Sequence, residues 1–418
     1  MTAPTQPRVP AQRTATGGHP ALERLIAVAV EEFASHYWSR QPLLSPSDAL
    51  PRTFDDLFSA AAVDELVSER GLRTPFLRVA KDGSTLADSA FTANGGIGAG
   101  IADQASDDKL LRLFAEGATI VLQGLHRTWP ALIDFSQQLA ADLGHPVQVN
   151  AYVTPPQNTG FSDHYDVHDV FVLQVEGEKL WQVRSPVNEL PLRDQPWEQR
   201  KSDVTRAAAQ PPLLEFTMRP GDCLYLPRGF LHSATALGGV STHLTIGVHP
   251  WTLHHLASDL ASAALAEASR DRGLRESLPL GTDVSDADLL APDVEQVRAA
   301  LHRAIDAIEP SALADRLAAR HRSAQRAAPV RPLRQLRAAS RLTGIPLLVL
   351  RPHLAARLTT TPEGYAVLDS RAGRLQLLPD DVGEVRRLLD AGEAAVADLG
   401  EDLARRLLLS GVVVAPEP

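Results

Sequence analysis

Cysteine is almost missing from this 418-residue chain, with Cys223 the only one. An internal disulfide needs two cysteines and a thiolate metal cluster needs more, so both are excluded. Cys223 itself reads as a small apolar filler in a strand. No apolar run is long enough to cross a bilayer, since even Leu347-Leu348-Val349-Leu350 stops at Arg351-Pro352. That excludes a membrane-spanning role. Residues 1–19 lack the apolar core of a signal peptide and are rich in Thr, Pro, Gln and Gly, the composition of a disordered tail on a cytoplasmic protein. Positive charge is in deficit too: 41 Lys and Arg against 51 Asp and Glu leave a net charge of −10, which argues against broad adhesion to nucleic acid. One stretch departs from that balance. Arg316, Arg320, Arg322, Arg326, Arg331, Arg334, Arg337 and Arg341 follow one another with no acidic residue between them. Such a run is ordinarily a solvated helix face or linker, and its functional alternative is an RNA-facing patch.

The length exceeds one compact core and calls for two or three domains. Leu22, Leu25, Ile26, Ala29, Phe33 and Tyr37 recur at helical spacing, predicting a helix over 21–37 that ends before Gln41-Pro42. A second helix is expected over 53–69 with Thr53 near its cap. A strand at 75–80 ending at the turn 81–83, a helix at 107–116, a strand at 118–122 and a helix at 129–143 complete the first part. Strands then follow at about 147–153, 169–175, 179–184, 213–217, 223–226 and 241–248, with turns and loops between them and no intervening helices. That spacing points to an antiparallel double sheet of the jelly-roll kind, with inward-facing residues around a pocket at the barrel mouth. Beyond Trp251 the composition turns to Ala, Leu, Arg and Glu, with helices expected at 253–272 and 293–308 and a capped turn at 286–290. From about Ile345 the pattern is strand-like, then helical at 379–389 and 399–409, then strand-like at 412–414; a winged-helix arrangement fits this order.

The chemistry concentrates in one motif. In Ser162-Asp163-His164-Tyr165-Asp166-Val167-His168-Asp169, His164 and Asp166 stand two apart, which on an extended strand presents an imidazole and a carboxylate to one face. His232, after the turn chemistry of Pro220-Gly221-Asp222, supplies a second imidazole from a neighbouring strand. Two His and one carboxylate leave one face of an octahedral metal open, as in non-haem Fe(II) oxygenases. The plain alternative is a strand-edge hydrogen-bonded pair with a satisfied core histidine. By alternation His168 could share the metal face, but a fourth protein ligand would block an open position, so a supporting or substrate-contacting role is expected for it.

Several segments together resemble the JmjC ribosomal oxygenase group within the cupin superfamily. They are Tyr37-Trp38-Ser39-Arg40-Gln41-Pro42-Leu43-Leu44, Asn150-Ala151-Tyr152-Val153-Thr154-Pro155, the His164 block through Lys179-Leu180-Trp181, the block from Pro220 to His232, and Ser241-Thr242-His243-Leu244-Thr245. The resemblance implies an α+β chain: a double-stranded β-helix (jelly roll) catalytic domain at 20–250 with N-terminal helices, a helical dimerisation domain at 251–330 and a winged-helix-like module at 331–418. It implies Fe(II) held by His164, Asp166 and His232, and 2-oxoglutarate as co-substrate with Lys179 on its distal carboxylate. Asn150, Tyr152 and Thr245 would line the co-substrate pocket; His243 lies near it, with a structural role in its strand as the alternative. The implied activity is hydroxylation of a side chain of a protein or peptide, a ribosomal protein being the favoured class, by a homodimer. Two other classes stand beside it. A redox-silent metal-binding cupin would keep the triad without needing Lys179 deep in the barrel, and a nucleic-acid-binding regulator would rest on the C-terminal module and the arginine run without needing the triad.

Overall fold

The protein is described here by a computed structural model over residues 18–81, 83–158, 162–361 and 363–416. The expected tail at 1–19 thus falls, but for its last two residues, outside the described residues, as do Asp82 of the turn at 81–83 and Gly160-Phe161 ahead of the metal motif. The chain divides into two compact units, one up to Leu143 with Val149–Ile246, the other Gly144–Gln148 with Gly247–Pro418.

The first unit is built on an antiparallel sheet of nine strands among the described residues. Eight run in the order Leu43–Ser45, Cys223–Leu226, Asp169–Arg184, Leu231–Val248, Val147–Thr154, Thr119–Leu122, Leu77–Lys81, Ser84–Thr85, and Leu214–Met218 pairs with Asp169–Arg184 off that path. The expected jelly roll is present, with one correction to its parts. The strands expected separately at 169–175 and 179–184 are one strand, Asp169–Arg184, as are those around His232 and 241–248, in Leu231–Val248. The first half of Asp169–Arg184 pairs with Cys223–Leu226 and the second half with Leu214–Met218, so one strand serves both layers. Gly177 sits between the halves with φ +65°, and a Cβ there would stand 2.1 Å from the Val240 carbonyl oxygen. Only glycine permits that conformation beside so close a backbone. The break expected between 169–175 and 179–184 is a bend inside one strand.

The N-terminal helices are shorter than their periodicity suggests. Pro20–Glu23 and Val30–Glu32 are separated, and Phe33–Tyr37 is a π-helical turn. The break has a cause: the Ala27 N–H donates to Ser45 Oγ (3.0 Å), and buried Arg24 pairs with Asp56, so side chains divert the backbone that a helix would have used. Likewise the helix expected from Thr53 starts at Ala60, because Ser59 is the N-cap whose hydroxyl accepts from the Ala62 N–H.

One buried polar cluster fastens this N-terminal segment to the barrel. Asp169, fully buried, accepts from Tyr225 Oη (2.6 Å), Ser39 Oγ (2.9 Å) and the Arg228 backbone N–H (3.1 Å), and pairs with the Arg228 guanidinium at 3.3 Å. Phe33, Trp38, Phe171 and Tyr225 pack their rings around it. Removing one member of such a pair leaves a charge buried alone, which typically costs about 3–5 kcal/mol. The cluster therefore holds Asp169 and Arg228 in place, three residues from Asp166 and four from His232.

The second unit carries Leu253–Ala268, Ala287–Asp306 and Pro310–Ala324. The capped turn and the helix expected after it are one element: Asp286 caps Ala287–Asp306, which tolerates Pro292 in its second turn. Ala264, Ala268 and Ala304 are buried, with Leu274, Leu301 and Ile308 against them. A second core gathers Leu348, Leu368, Val385, Leu388, Leu403 and Leu407 beneath the helices Pro332–Ser340, Asp381–Ala391 and Glu401–Leu409. Two three-stranded antiparallel sheets belong to this part, Glu393–Ala395 with Leu347–Leu350 and Val413–Val414, and Arg357–Thr360 with Ala366–Ser370 and Gly373–Gln376. Among the described residues no helix is long and apolar enough to cross a membrane.

Candidate metal centre

His164 and His232 face each other across an isolated antiparallel bridge, the His164 N–H donating to the His232 carbonyl (3.2 Å) and the His232 N–H to that of His164 (2.9 Å). Asp166 is not in a strand; Asp169–Arg184 begins only three residues later. Its convergence with His164 therefore comes from the loop, held where the Gly229 N–H donates to the Asp166 carbonyl (3.0 Å), rather than from strand alternation. One ligand atom from each of His164, Asp166 and His232 lies within 4.8 Å of the others, and Asp166 Oδ2 stands 3.8 Å from His232 Nε2.

Both imidazoles are oriented from behind. His164 Nδ1 lies 2.8 Å from the Ser162 carbonyl oxygen and His232 Nδ1 lies 3.1 Å from that of Phe230. A carbonyl can only accept, so each Nδ1 carries the proton and each Nε2 lone pair is left for a cation. Burial, with the neighbouring His164 charge, pushes His232 down to about 4, so its ring is neutral at physiological pH. Burial also acts to raise the Asp166 carboxyl, but the positive potential of His168, His164, His232 and Arg78 outweighs it and holds the group below its ordinary range. A neutral imidazole at His232 and an ionised carboxylate at Asp166 are protonation states that suit a divalent cation. His168 is outside the converging set.

Behind the triad the barrel encloses a pocket. Tyr152, Thr154, Lys179, Trp181, His243 and Thr245 are among its lining residues. They come in pairs two residues apart on three strands, as alternation on a pleated sheet demands. Lys179 is 3% exposed, and its Nζ donates to Thr154 Oγ1 (3.1 Å) and approaches His243 Nδ1 (3.4 Å). No carboxylate faces it among the described residues, and burial pushes its ammonium down to about 7. His243 stacks on Tyr152 (centroids 5.0 Å apart, 2° between planes) and meets Trp181 edge-on, and burial holds it well below its ordinary value. Tyr152 Oη lies 3.5 Å from the Arg78 guanidinium.

Asn150 does not line the pocket; its amide oxygen accepts from the Gly124 N–H (3.1 Å), anchoring the loop before Leu125. Thr119, Thr154, Trp181 and Ser233 do line it, and reasoning from the sequence had not singled them out. Thr154 was findable as the same-face partner of Tyr152, and Trp181 as that of Lys179. Trp181 is 4% exposed, and its indole N–H has no hydrogen-bond partner among the described residues, making it a further donor beside the pocket.

A JmjC domain model matches residues 130–256, a span containing all of these residues but Arg78, Thr119, Gly124 and Leu125. The bifunctional lysine-specific demethylase and histidyl-hydroxylase NO66 of Aedes aegypti is 30% identical over 264 residues, 60% of this chain and 38% of that protein. Ribosomal oxygenase 1 of Gallus gallus is 30% identical over 257 residues, 60% of this chain and 40% of its own. The chain thus spans about two-fifths of the length of these curated relatives. Among solved structures, the ribosomal oxygenase YcfD of Escherichia coli, in complex with cobalt and 2-oxoglutarate, superposes with a TM-score of 0.54 at 17% identity, covering 93% of this chain and 99% of that one. The chain thus carries a JmjC domain match over residues 130–256, is similar to these oxygenases over 60% of its length, and shares the fold of the Escherichia coli ribosomal oxygenase.

Proposed function

We propose that the chain is an Fe(II)- and 2-oxoglutarate-dependent oxygenase that hydroxylates a side chain of a protein or peptide, a ribosomal protein being the favoured substrate class. The observation that carries this reading is a cation-ready triad opening beside a buried lysine that lacks a carboxylate partner among the described residues. His164, Asp166 and His232 would hold the iron through Nε2, a carboxylate oxygen and Nε2. Lys179, with Thr154, would take the distal carboxylate of 2-oxoglutarate, a charge-assisted contact strengthened by burial. Tyr152, Thr245 and Trp181 would fix its orientation, while Val170, Val172 and the stacked His243 keep the pocket narrow and dry. When bound, iron and 2-oxoglutarate supply O2 activation coupled to decarboxylation, giving succinate, CO2 and a hydroxylated product. A redox-silent cupin has no use for a lysine buried at the barrel's centre, so Lys179 favours the oxygenase.

The test is metal analysis combined with succinate release. The purified chain should bind Fe(II) at one equivalent and convert 2-oxoglutarate to succinate only when iron is present. Metal bound without succinate would leave the redox-silent cupin in its place.

The organisation around this site follows the same proposal. Residues 251–330 serve as a dimerisation domain, 331–418 as a winged-helix-like module, and the protein acts in the cytoplasm as a homodimer. On the helices Leu253–Ala268 and Ala287–Asp306 and just beyond, the apolar Ala264, Leu301 and Ile308 are occupied within the chain, whereas Leu253 is 83% exposed, Leu265 63% and Val297 42%. Apolar side chains so exposed suit a second copy. Sedimentation at micromolar concentration should give a dimer, and a monomer mass would remove this part.

A further inference from the structure

On the outer side of the barrel unit, away from the triad's lining residues, the segment Ala60–Glu69 and the helix Asp107–Ala115 flank a groove of about 450 Å³ that also reaches Ile120, Val153, Val240 and Thr242. Its apolar surface comes from Val63, Val67, Leu110, Leu111, Phe114 and Ile120. Leu111 is 68% and Val240 37% exposed, so part of it faces solvent. Asp64, Asp107, Asp108 and Glu176 also line it, no Lys or Arg does, and among the described residues none of the four is in an ion pair. The charged groups nearest along the chain are otherwise engaged: Arg112 donates to the Asp108 backbone carbonyl, Lys109 to the Ser89 and Thr92 carbonyls, and Lys81 pairs with Glu116. Thr242, fully buried in the wall, has a hydroxyl with no hydrogen-bond partner among the described residues. An apolar trough rimmed with one sign of charge, holding an unsatisfied polar group, is built for a ligand of complementary chemistry.

We propose that this groove docks a basic amphipathic segment of a partner protein, with aliphatic side chains on Leu111 and Phe114 and arginine or lysine on the carboxylate rim. The occupant follows from charge: a rim of four carboxylates repels acidic peptides, nucleic acid and anionic membrane alike, and attracts a segment carrying cations beside its apolar anchors. The groove takes no part in the proposed chemistry, so binding there is measured apart from turnover.

The probe is a fluorescein-labelled helical peptide with leucines at i, i+4 and i+7 and flanking arginines, titrated against the full chain by anisotropy. Its control carries glutamate in place of each arginine. The arginine peptide should bind and weaken with salt; the glutamate peptide should not. The double variant Asp64→Asn, Glu176→Gln, which alters exposed side chains only, should weaken binding about fivefold, the worth of exposed ion pairs. Leu111→Asp should abolish it at an unchanged circular dichroism spectrum. Equal binding of both peptides, or wild-type affinity in the double variant, would overturn the proposal. So would a change of sedimentation mass in these variants, which would assign the groove to a second copy.

Discussion

His164→Ala, Asp166→Ala and His232→Ala should each lower iron-dependent succinate release by more than about a hundredfold, since outer-shell partners alone are worth 10–100-fold in metal sites and these residues are the ligands themselves. The fold should survive. Asp166 lies in a loop, and His164 and His232 meet through an isolated bridge whose two hydrogen bonds are backbone to backbone and so persist in alanine. His232 is held neutral by its surroundings and His164 is partly exposed, so removing either ring leaves no buried charge stranded. The circular dichroism melt of each variant is therefore expected within about 1–2 kcal/mol of wild type, the range for losing one partly buried side chain. Iron content measured beside succinate decides the matter. A variant that retains both would take its residue out of the metal site, whereas loss of activity with unfolding would make the triad structural.

How much of this was legible in the sequence depends on whether local pattern or distant contact decides each element. The strands carrying the pocket were readable because period-two alternation survives in Asn150-Ala151-Tyr152-Val153-Thr154 and Lys179-Leu180-Trp181, and alternation is a property of the backbone itself. The bend at Gly177 was not, because a glycine between two acidic residues has the composition of a turn. Only the approach of the Val240 carbonyl, more than sixty residues away, shows that the strand runs on. The same holds for 21–37, where helical spacing was correct as far as it went and Ser45 and Asp56 overrode it from afar. His164 and Asp166 were paired by the right residues for an incomplete reason. Alternation suggested them, yet the loop after His164 is fixed by the Gly229 and Asp169–Arg228 contacts, which no local window contains. Asn150 shows the converse, since its position on the Tyr152 face was readable but its hydrogen bond to Gly124 was not.

Lys179→Met should separate the two things a buried lysine does, because stability and co-substrate use are expected to move in opposite directions. In the free protein the ammonium has been taken from water with only Thr154 and neutral His243 to receive it, and its pKa falls from 10.5 to about 7. That shift is a cost to folding of about 5 kcal/mol when the group is charged in both states. The sign follows from proton counts: between about pH 7 and 10.5 the unfolded chain binds the proton and the folded chain does not, so this lysine makes stability rise with pH across that window. Methionine has similar reach and no charge to desolvate. The variant should be at least as stable as wild type at pH 7, and the difference should shrink as pH rises towards 10. Turnover should respond in the other direction. A dicarboxylate entering the pocket restores a counter-charge to the ammonium, and losing a charge-assisted hydrogen bond worth about 1.5–3 kcal/mol should raise the 2-oxoglutarate requirement roughly 10- to 150-fold while iron stays bound. Because the bound anion favours the protonated amine, wild-type affinity for 2-oxoglutarate should also fall as pH climbs above about 7, a dependence the methionine variant should lose. Chemical denaturation from pH 6 to 10 and 2-oxoglutarate titrations over the same range, on both proteins, give the comparison. An unchanged requirement at unchanged stability would take Lys179 out of the co-substrate site, whereas a requirement raised in parallel with unfolding would make it a packing residue.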